Sequence, residues 1–402
     1  MSVTPRRAVV IGGSLGGLFA ANLLHRQGWD VEVFEHSGEA LVGRGAGIIT
    51  HPEIFHALER MAIPIDESFG VDIPERVAFD RSGATLGTLA LPQRLTTWGQ
   101  LHVRLKAAFP SERYHFGHSF ARLGQDANGV SAQFANGVSA RGELLIGADG
   151  IRSSVRAQLL PEAKPVYAGY VGWRGLAAET AFSRPVHREL FPRFAFCLPE
   201  REHMLGYPVA GFTNSTRAGS RCYNFVWYRP TDASDGLPRL CTDTAGKLHD
   251  MSIPPQLIRP EVLAEMRRAA EERLSPQFRE VVRRARQPFF QAIFDVESSH
   301  LAFGRVALLG DAAFVARPHC GMGVTKGAGD AMRLADLLRE ADNDVPAALA
   351  RYERERARFG AAVVSHARAL GAWLQGRTDA EARSHHTPEA VMREIAVTRD
   401  YP

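Results

Sequence analysis

Uninterrupted apolar runs recur at residues 8–11, 144–146 and 306–309, and each opens onto glycine. Runs this short, with no polar alternation, predict strands covered on both faces, as in a parallel sheet between helical layers. Residues 18–25 follow the first run with helical apolar spacing, and Val31, Val33 and Phe34 form the next strand. From about Val166 to Asp295 the texture changes to short aromatic and β-branched runs at 194–197, 204–209 and 221–228. Polar turns separate them, which predicts the antiparallel strands of a second sheet. A charged helical stretch spans 261–286, where Glu280 and Arg284 have the i,i+4 spacing of a solvated pair. Ala331, Leu334, Ala335 and Leu338 share one helix face, and Leu349, Tyr352, Phe359, Val363, Leu370 and Trp373 trace a longer helical stripe.

The pattern predicts an α/β protein: a Rossmann-like nucleotide-binding domain, an inserted antiparallel β-sheet domain for substrate, and C-terminal helices. The first domain is assigned residues 1–73, 99–165 and 296–345, and the second residues 74–98 and 166–295. Residues 346–402 form the helical segment and tail, docked on the first domain. A homodimer contact is the other use open to that stripe.

Composition narrows the function classes. The chain has 402 residues, 45% of them hydrophobic, enough for a large core shared by two joined domains. Its 48 basic residues stand against 44 acidic ones. That balance is too even for a nucleic-acid binder, although the excess of +4 helps attract anionic small molecules. Four scattered cysteines without a CxxC pair argue against a zinc site or a disulfide framework, and for a reducing cytoplasm. His385 and His386 in the polar tail are too few for a metal centre. No apolar run is long enough to span a membrane, and residues 1–7 lead straight into a strand with no apolar signal region.

The chemistry lies in the turns. Gly12 and Gly17 match the outer glycines of G-x-G-x-x-G, with Ser14 in place of the middle one and Leu15 opening the helix. Such a turn lets backbone N–H groups approach a pyrophosphate at the helix N-terminus. Glu35 closes the second strand where an acid can bond a ribose 2′-OH, which suits FAD or NAD and disfavours NADP. Asp149, in Gly147-Ala148-Asp149-Gly150, can order its loop through hydrogen bonds. Asp311, after Gly310, stands at the carboxyl end of the third run, placed to accept from a ribityl hydroxyl. Gly321 and Gly323 permit close approach to a ring, and the N–H groups around Val324 and Thr325 can stabilise negative charge on reduced flavin.

In this order and spacing the motifs resemble the class A flavoprotein monooxygenases, the family of p-hydroxybenzoate and salicylate hydroxylases. The resemblance covers nearly the whole chain. It implies that the first and third motifs hold FAD and that the Asp149 loop serves both FAD and reduced nicotinamide. It also implies that Arg44, in a glycine segment, lies near the flavin, that Arg104 reaches the cofactor phosphates, and that the second sheet walls the substrate pocket. Phe314 departs from the His that many members have, and Thr325 from their Asn.

The implied reaction is hydroxylation of an electron-rich aromatic ring by NADH or NADPH and O2 through a C4a-hydroperoxyflavin. Segments 167–175, 207–209, 224–228 and 316–319 point within the family to hydroxylated pyridines as substrates. Candidate catalytic residues are His51, stiffened by Pro52 and able to accept a proton from a ring hydroxyl, with Tyr207 and His319. A flavin-dependent halogenase or reductase is an alternative, although the five tryptophans are never two apart as a Trp-x-Trp signature requires. A flavin-binding sensor without turnover is another.

Overall fold

A computed structural model describes residues 6–39, 47–378 and 387–402. Its first sheet has six strands in the order Ala302–Phe303, Val306–Leu308, Leu144–Gly147, Arg7–Ile11, Asp30–Phe34, Tyr114–His115. The three apolar runs are thus adjacent and parallel: Ala8 lies opposite Leu144 and Val31, and Leu145 opposite Val306. Helices Leu15–Arg26 and Thr325–Glu340 pack on one another, while a small antiparallel sheet (Phe120–Asp126, Gly129–Phe134, Ser139–Gly142) packs against the first sheet. Because the strands run the same way, their glycine ends gather along one carboxyl edge, where open α/β sheets bind ligands.

The second sheet has eight strands in the order Phe289–Asp295, Val166–Ala178, Cys222–Pro230, His203–Val209, Arg193–Cys197, Val71–Phe79, Thr85–Thr97, Gly47–Ile49. All neighbours are antiparallel except Arg193–Cys197 with Val71–Phe79. The period of two separates its faces. Val171, Trp173, Phe225 and Trp227 pack with Val262, Met266 and Phe278 in one core. The opposite face presents Tyr170, Leu205, Tyr207, Val226 and Tyr228.

Two local readings differ from the sequence expectation. The charged stretch is two helices, Pro260–Arg273 and Pro276–Arg284, because Ser275 turns extended and caps the second through Phe278 N–H. Glu280 does not pair with Arg284. It accepts from the Ser183 N–H and hydroxyl instead, anchoring a neighbouring segment.

Helix Val345–Leu374 lies along Thr325–Glu340, with Ala348, Tyr352, Val363 and Ala367 in the core that packs on the first sheet. Helix Pro388–Glu394 then returns to the second sheet, against Val71–Phe79 and Thr85–Thr97. Arg76 ties it there. Its guanidinium is fully buried and donates to the carbonyls of Met392 (2.6 Å), Ile395 (2.6 Å) and Ala396 (3.1 Å), and to Gln93 Oε1 (2.6 Å). Burial pushes its pKa down to about 9, so it stays charged at neutral pH. Among the described residues, no helix is long and apolar enough to cross a membrane.

Arg76→Leu removes the donor from three buried carbonyls. With about 1–3 kcal/mol for each buried group left unsatisfied, the thermal midpoint is expected to fall by several degrees. Limited proteolysis is expected to cut first after residue 374. A variant that melts with the wild type and resists protease equally would show that Arg76 does not hold the tail.

Candidate active site

A cleft of about 570 Å³ lies between the carboxyl edge of the first sheet and the inner face of the second. Gly12, Ser14, Leu15 and Glu35 line one end. Asp149, Asp311, Gly321, Gly323 and Val324 line its middle, and Arg174, Leu205, Tyr207, Val226, Tyr228 and Gln291 form its floor.

The glycine turn shows what it can hold. Gly12 has φ 103°, and a Cβ there would overlap the Ala148 carbonyl; a Cβ on Gly17 would overlap the Gly12 carbonyl. The turn is therefore pressed onto the sheet edge. Gly17 works behind the cleft, setting how closely the helix approaches its own strand. Ser14 caps helix Leu15–Arg26 without a side-chain bond to its N–H groups, which leaves that N-terminus free for an anion. Buried Glu35 accepts from Gly13 N–H at 2.8 Å and Ser37 N–H at 2.9 Å, so it also shapes the turn.

Two further loops complete this half. Burial pushes the Asp149 carboxyl above its usual range, countered by bonds from the Ser153 hydroxyl, Ser154 N–H and Val155 N–H. Asp311 faces the cleft and pairs with Lys326, whose ammonium is buried behind it. Arg156 supports the same turn by donating to the Ala312 carbonyl at 3.0 Å. A Cβ on Gly323 would meet nothing within 4 Å, so the chain is open to a ring at that point. Val324 caps helix Thr325–Glu340, and the buried Thr325 Oγ1 has no partner among the described residues. These features fit FAD: a free helix N-terminus for the pyrophosphate, a half-exposed carboxylate for ribityl, and an open glycine turn for the ring.

The catalytic candidates separate. Tyr207 lines the floor; burial raises its phenol well above the usual value, so it remains a hydrogen-bond donor. His51 is buried behind Gly321, with Nδ1 3.3 Å from Thr398 Oγ1 and Nε2 without a partner. Burial, helped by Arg76, lowers its pKa from 6.5 to about 4. His319 is also buried behind the cleft wall, with Nε2 2.8 Å from Tyr170 OH and its ring 4.4 Å from that of Tyr228. Burial lowers its pKa as well.

Arg104 stands away from the cleft, donating to Pro64 O, Asp66 and Ser68. Arg44 lies outside the described residues. No group of three His, Cys, Asp or Glu among the described residues could hold a metal. Sequence reading missed Arg174, Tyr228, Gln291 and the tail residues Ile395 and Ala396, all lining the cleft. The alternation of Tyr170, Gly172 and Arg174 along one strand was the available signal for Arg174; nothing local marked the tail.

Residues 6–206 and 255–367 match the family described as FAD binding domain, and residues 167–295 one described as FAD binding domain-like. The chain is 33% identical over 376 residues to a 2,6-dihydroxypyridine 3-monooxygenase of Paenarthrobacter nicotinovorans, covering 93% of each chain. A 6-hydroxynicotinate 3-monooxygenase of Bordetella bronchiseptica is 27% identical over 90% of each. The solved 2,6-dihydroxypyridine-3-hydroxylase of Arthrobacter nicotinovorans superposes with a TM-score of 0.89 at 31% identity, over 100% of this chain and 99% of that one. With FAD as its cofactor, the chain belongs to the FAD binding domain family, among the class A aromatic monooxygenases.

Proposed function

We propose that this chain is an NAD(P)H- and O2-dependent monooxygenase that hydroxylates a hydroxylated pyridine, with 2,6-dihydroxypyridine the first compound to test. The observation that carries this reading is one cleft in which nucleotide-holding turns meet a floor of Tyr207, Tyr228, Arg174 and Gln291. The 33% identity to a 2,6-dihydroxypyridine 3-monooxygenase over 93% of both chains supports the substrate class.

Bound FAD supplies the redox chemistry, accepting hydride from reduced nicotinamide and activating dioxygen. The chain's own residues bind, orient and enclose. N–H groups at Ser14 and Leu15 hold the pyrophosphate, Glu35 a ribose hydroxyl and Asp311 a ribityl hydroxyl. Gly321 and Gly323 let the backbone approach the ring, where the N–H groups of Val324 and Thr325 favour negative charge. Tyr207 donates to a substrate oxygen. His51 and His319 act as neutral imidazoles behind the wall, His319 by fixing the Tyr170 hydroxyl. Reduced nicotinamide binds transiently across the FAD surface. Four buried, unpaired cysteines suit a cytoplasmic protein.

The reaction is tested with the purified flavoprotein, NADH or NADPH and 2,6-dihydroxypyridine, scoring cofactor consumption against product mass under isotopically labelled O2. Labelled hydroxylated product is expected; hydrogen peroxide in full yield with no product would reject this substrate.

Asp311→Ala is expected to weaken FAD binding by about 1.5–3 kcal/mol, as for a lost hydrogen bond to a charged group. Unchanged affinity in a folded variant, measured by flavin fluorescence titration, would remove Asp311 from the ribityl site.

His51 predicts a pH dependence. Its folded pKa lies below its unfolded value, so the unfolded chain binds the proton more readily. The stability this contributes is present above pH 6.5 and is lost as pH falls towards 4, by about 2 kcal/mol at pH 5. His51→Gln should shrink the drop in thermal midpoint between pH 7 and pH 5. An identical drop in both proteins would contradict a buried neutral His51.

A further inference from the structure

Among the described residues, the arginines around the cleft are satisfied by the fold, except Arg174. Arg317 pairs with Asp295, Arg221 with Glu179 and Arg229 with Glu202, while Arg76 and Arg156 donate to backbone carbonyls. Arg174 has no hydrogen bond or ion pair with any described residue, and its Nε is buried without a partner. It stands on strand Val166–Ala178, opposite Val226, and reaches the cleft floor beside Tyr207, Tyr228 and Gln291. The acids of the cleft are already engaged. Asp149 is bonded to its own loop, Asp311 to Lys326, and Glu35 to the Gly13 turn. Among the described residues, none of the acids lining the cleft pairs with Arg174.

A partly buried guanidinium with idle donors is costly unless something else supplies the acceptor. The phosphates of FAD do not meet that need, since they belong at the Ser14–Leu15 end, whereas Arg174 lies on the floor between aromatic side chains. Tyr207 and Tyr228 are themselves donors, held protonated by burial despite the nearby charge of Arg174. The floor thus offers a cation and two phenolic donors, a set matched to a flat ring bearing negative charge on oxygen.

We propose that Arg174 is the anion anchor of the substrate cavity, pairing with a negatively charged oxygen of the bound ring. The enzyme thereby selects aromatic rings that carry an oxyanion or a carboxylate over neutral rings of the same shape. This rests on the hydroxylase reading above and names the charge state that reading leaves open. It assigns Arg174 to binding: KM carries the effect more than kcat, because the pairing is made before oxygen transfer and kept through it.

The test uses the FAD-loaded enzyme, with ligand binding read from the perturbation of flavin absorbance. The probes are 2,6-dihydroxypyridine at pH values below and above its ring ionisation, 6-hydroxynicotinate as a carboxylate, benzoate as a generic aromatic anion, and 2,6-dimethoxypyridine as a neutral ring. Arg174→Gln is expected to weaken the anionic ligands roughly 10- to 100-fold, to leave the neutral ring within about twofold, and to leave FAD affinity unchanged. Arg174→Lys should restore part of the affinity, since a point charge attracts the anion without the planar fork. The ligand-free Arg174→Gln protein should melt at or above the wild type, because an unpaired charge has been removed.

Loss of carboxylate ligands alone would assign the anchor to a carboxylate, and parallel loss for ionised 2,6-dihydroxypyridine to a ring oxyanion. Equal weakening of charged and neutral rings, unchanged binding of the anions, loss of FAD affinity, or a wild type that binds no anionic ring would each overturn the anchor. A wild type that binds anionic rings through Arg174 but hydroxylates none would sink the hydroxylase reading and leave the anchor standing. Turnover of 2,6-dihydroxypyridine that survives Arg174→Gln with unchanged KM would do the reverse.

Discussion

Where the parallel strands end, backbone has to touch backbone. Gly12 N–H donates to Phe34 O at 2.8 Å, Ala148 N–H donates to Ile11 O at 2.8 Å, and no side chain on Gly12 could fit beside the Ala148 carbonyl. Leu309 N–H extends the same ladder by donating to Gly147 O at 2.9 Å. These bonds pin the nucleotide turn, the Asp149 loop and the Asp311 turn to successive strands of one sheet edge. Motifs that are hundreds of residues apart in sequence become neighbours at strand spacing, roughly 4.8 Å. A cofactor that must be gripped at its pyrophosphate, ribose and ribityl parts needs that crevice, and the second sheet has a site to cover only because the crevice exists.

The charges of the cleft follow from this close approach. An acid at a crowded sheet edge costs little when backbone N–H groups or a cation already compensate it. Glu35 shapes the Gly13 turn, Asp149 folds its own loop, and Asp311 is backed by buried Lys326. Each of these acids therefore has a structural role of its own. The floor is different. Sheet alternation sends Trp173 and Trp227 into the outer core and Arg174 and Val226 into the cleft, where none of the described residues pairs with Arg174. Compensated acids along the first sheet's edge and, among the described residues, an unpaired cation on the floor divide one cavity into two environments.

Legibility in the sequence tracked the range of the interactions involved. The three apolar runs, their glycine ends and the change of texture near Val166 are local signals, and they place both sheets. The break at Ser275 was hidden because the flanking stretches share one charged, helical composition, and the capping Ser differs from a mid-helix Ser only in its backbone. Glu280 and Arg284 had the spacing of a pair, but Ser183 offers Glu280 two donors from a segment far away in sequence. The single parallel pair in the second sheet depends on crossover geometry, which residue texture does not encode. Arg174 falls within the aromatic segment 167–175, yet its lack of a partner among the described residues is a property of everything around it.

The tail shows the same limit most plainly. Residues 346–402 read as a helical segment and tail docked on the first domain, but Ile395 and Ala396 wall the cleft. Ala396 N–H donates to His319 O at 2.8 Å, and Thr398 meets His51. Arg76 holds the carbonyls of Met392, Ile395 and Ala396. A guanidinium can be buried there because three carbonyls at the end of a short helix present concentrated negative partial charge, which a lone pair partner in the sheet would not match. The same positive charge helps keep His51 neutral, since a second cation beside Arg76 would be repelled. One buried arginine thus holds the last residues of the chain against the cleft wall and adds its charge to the burial that keeps the histidine behind that wall neutral.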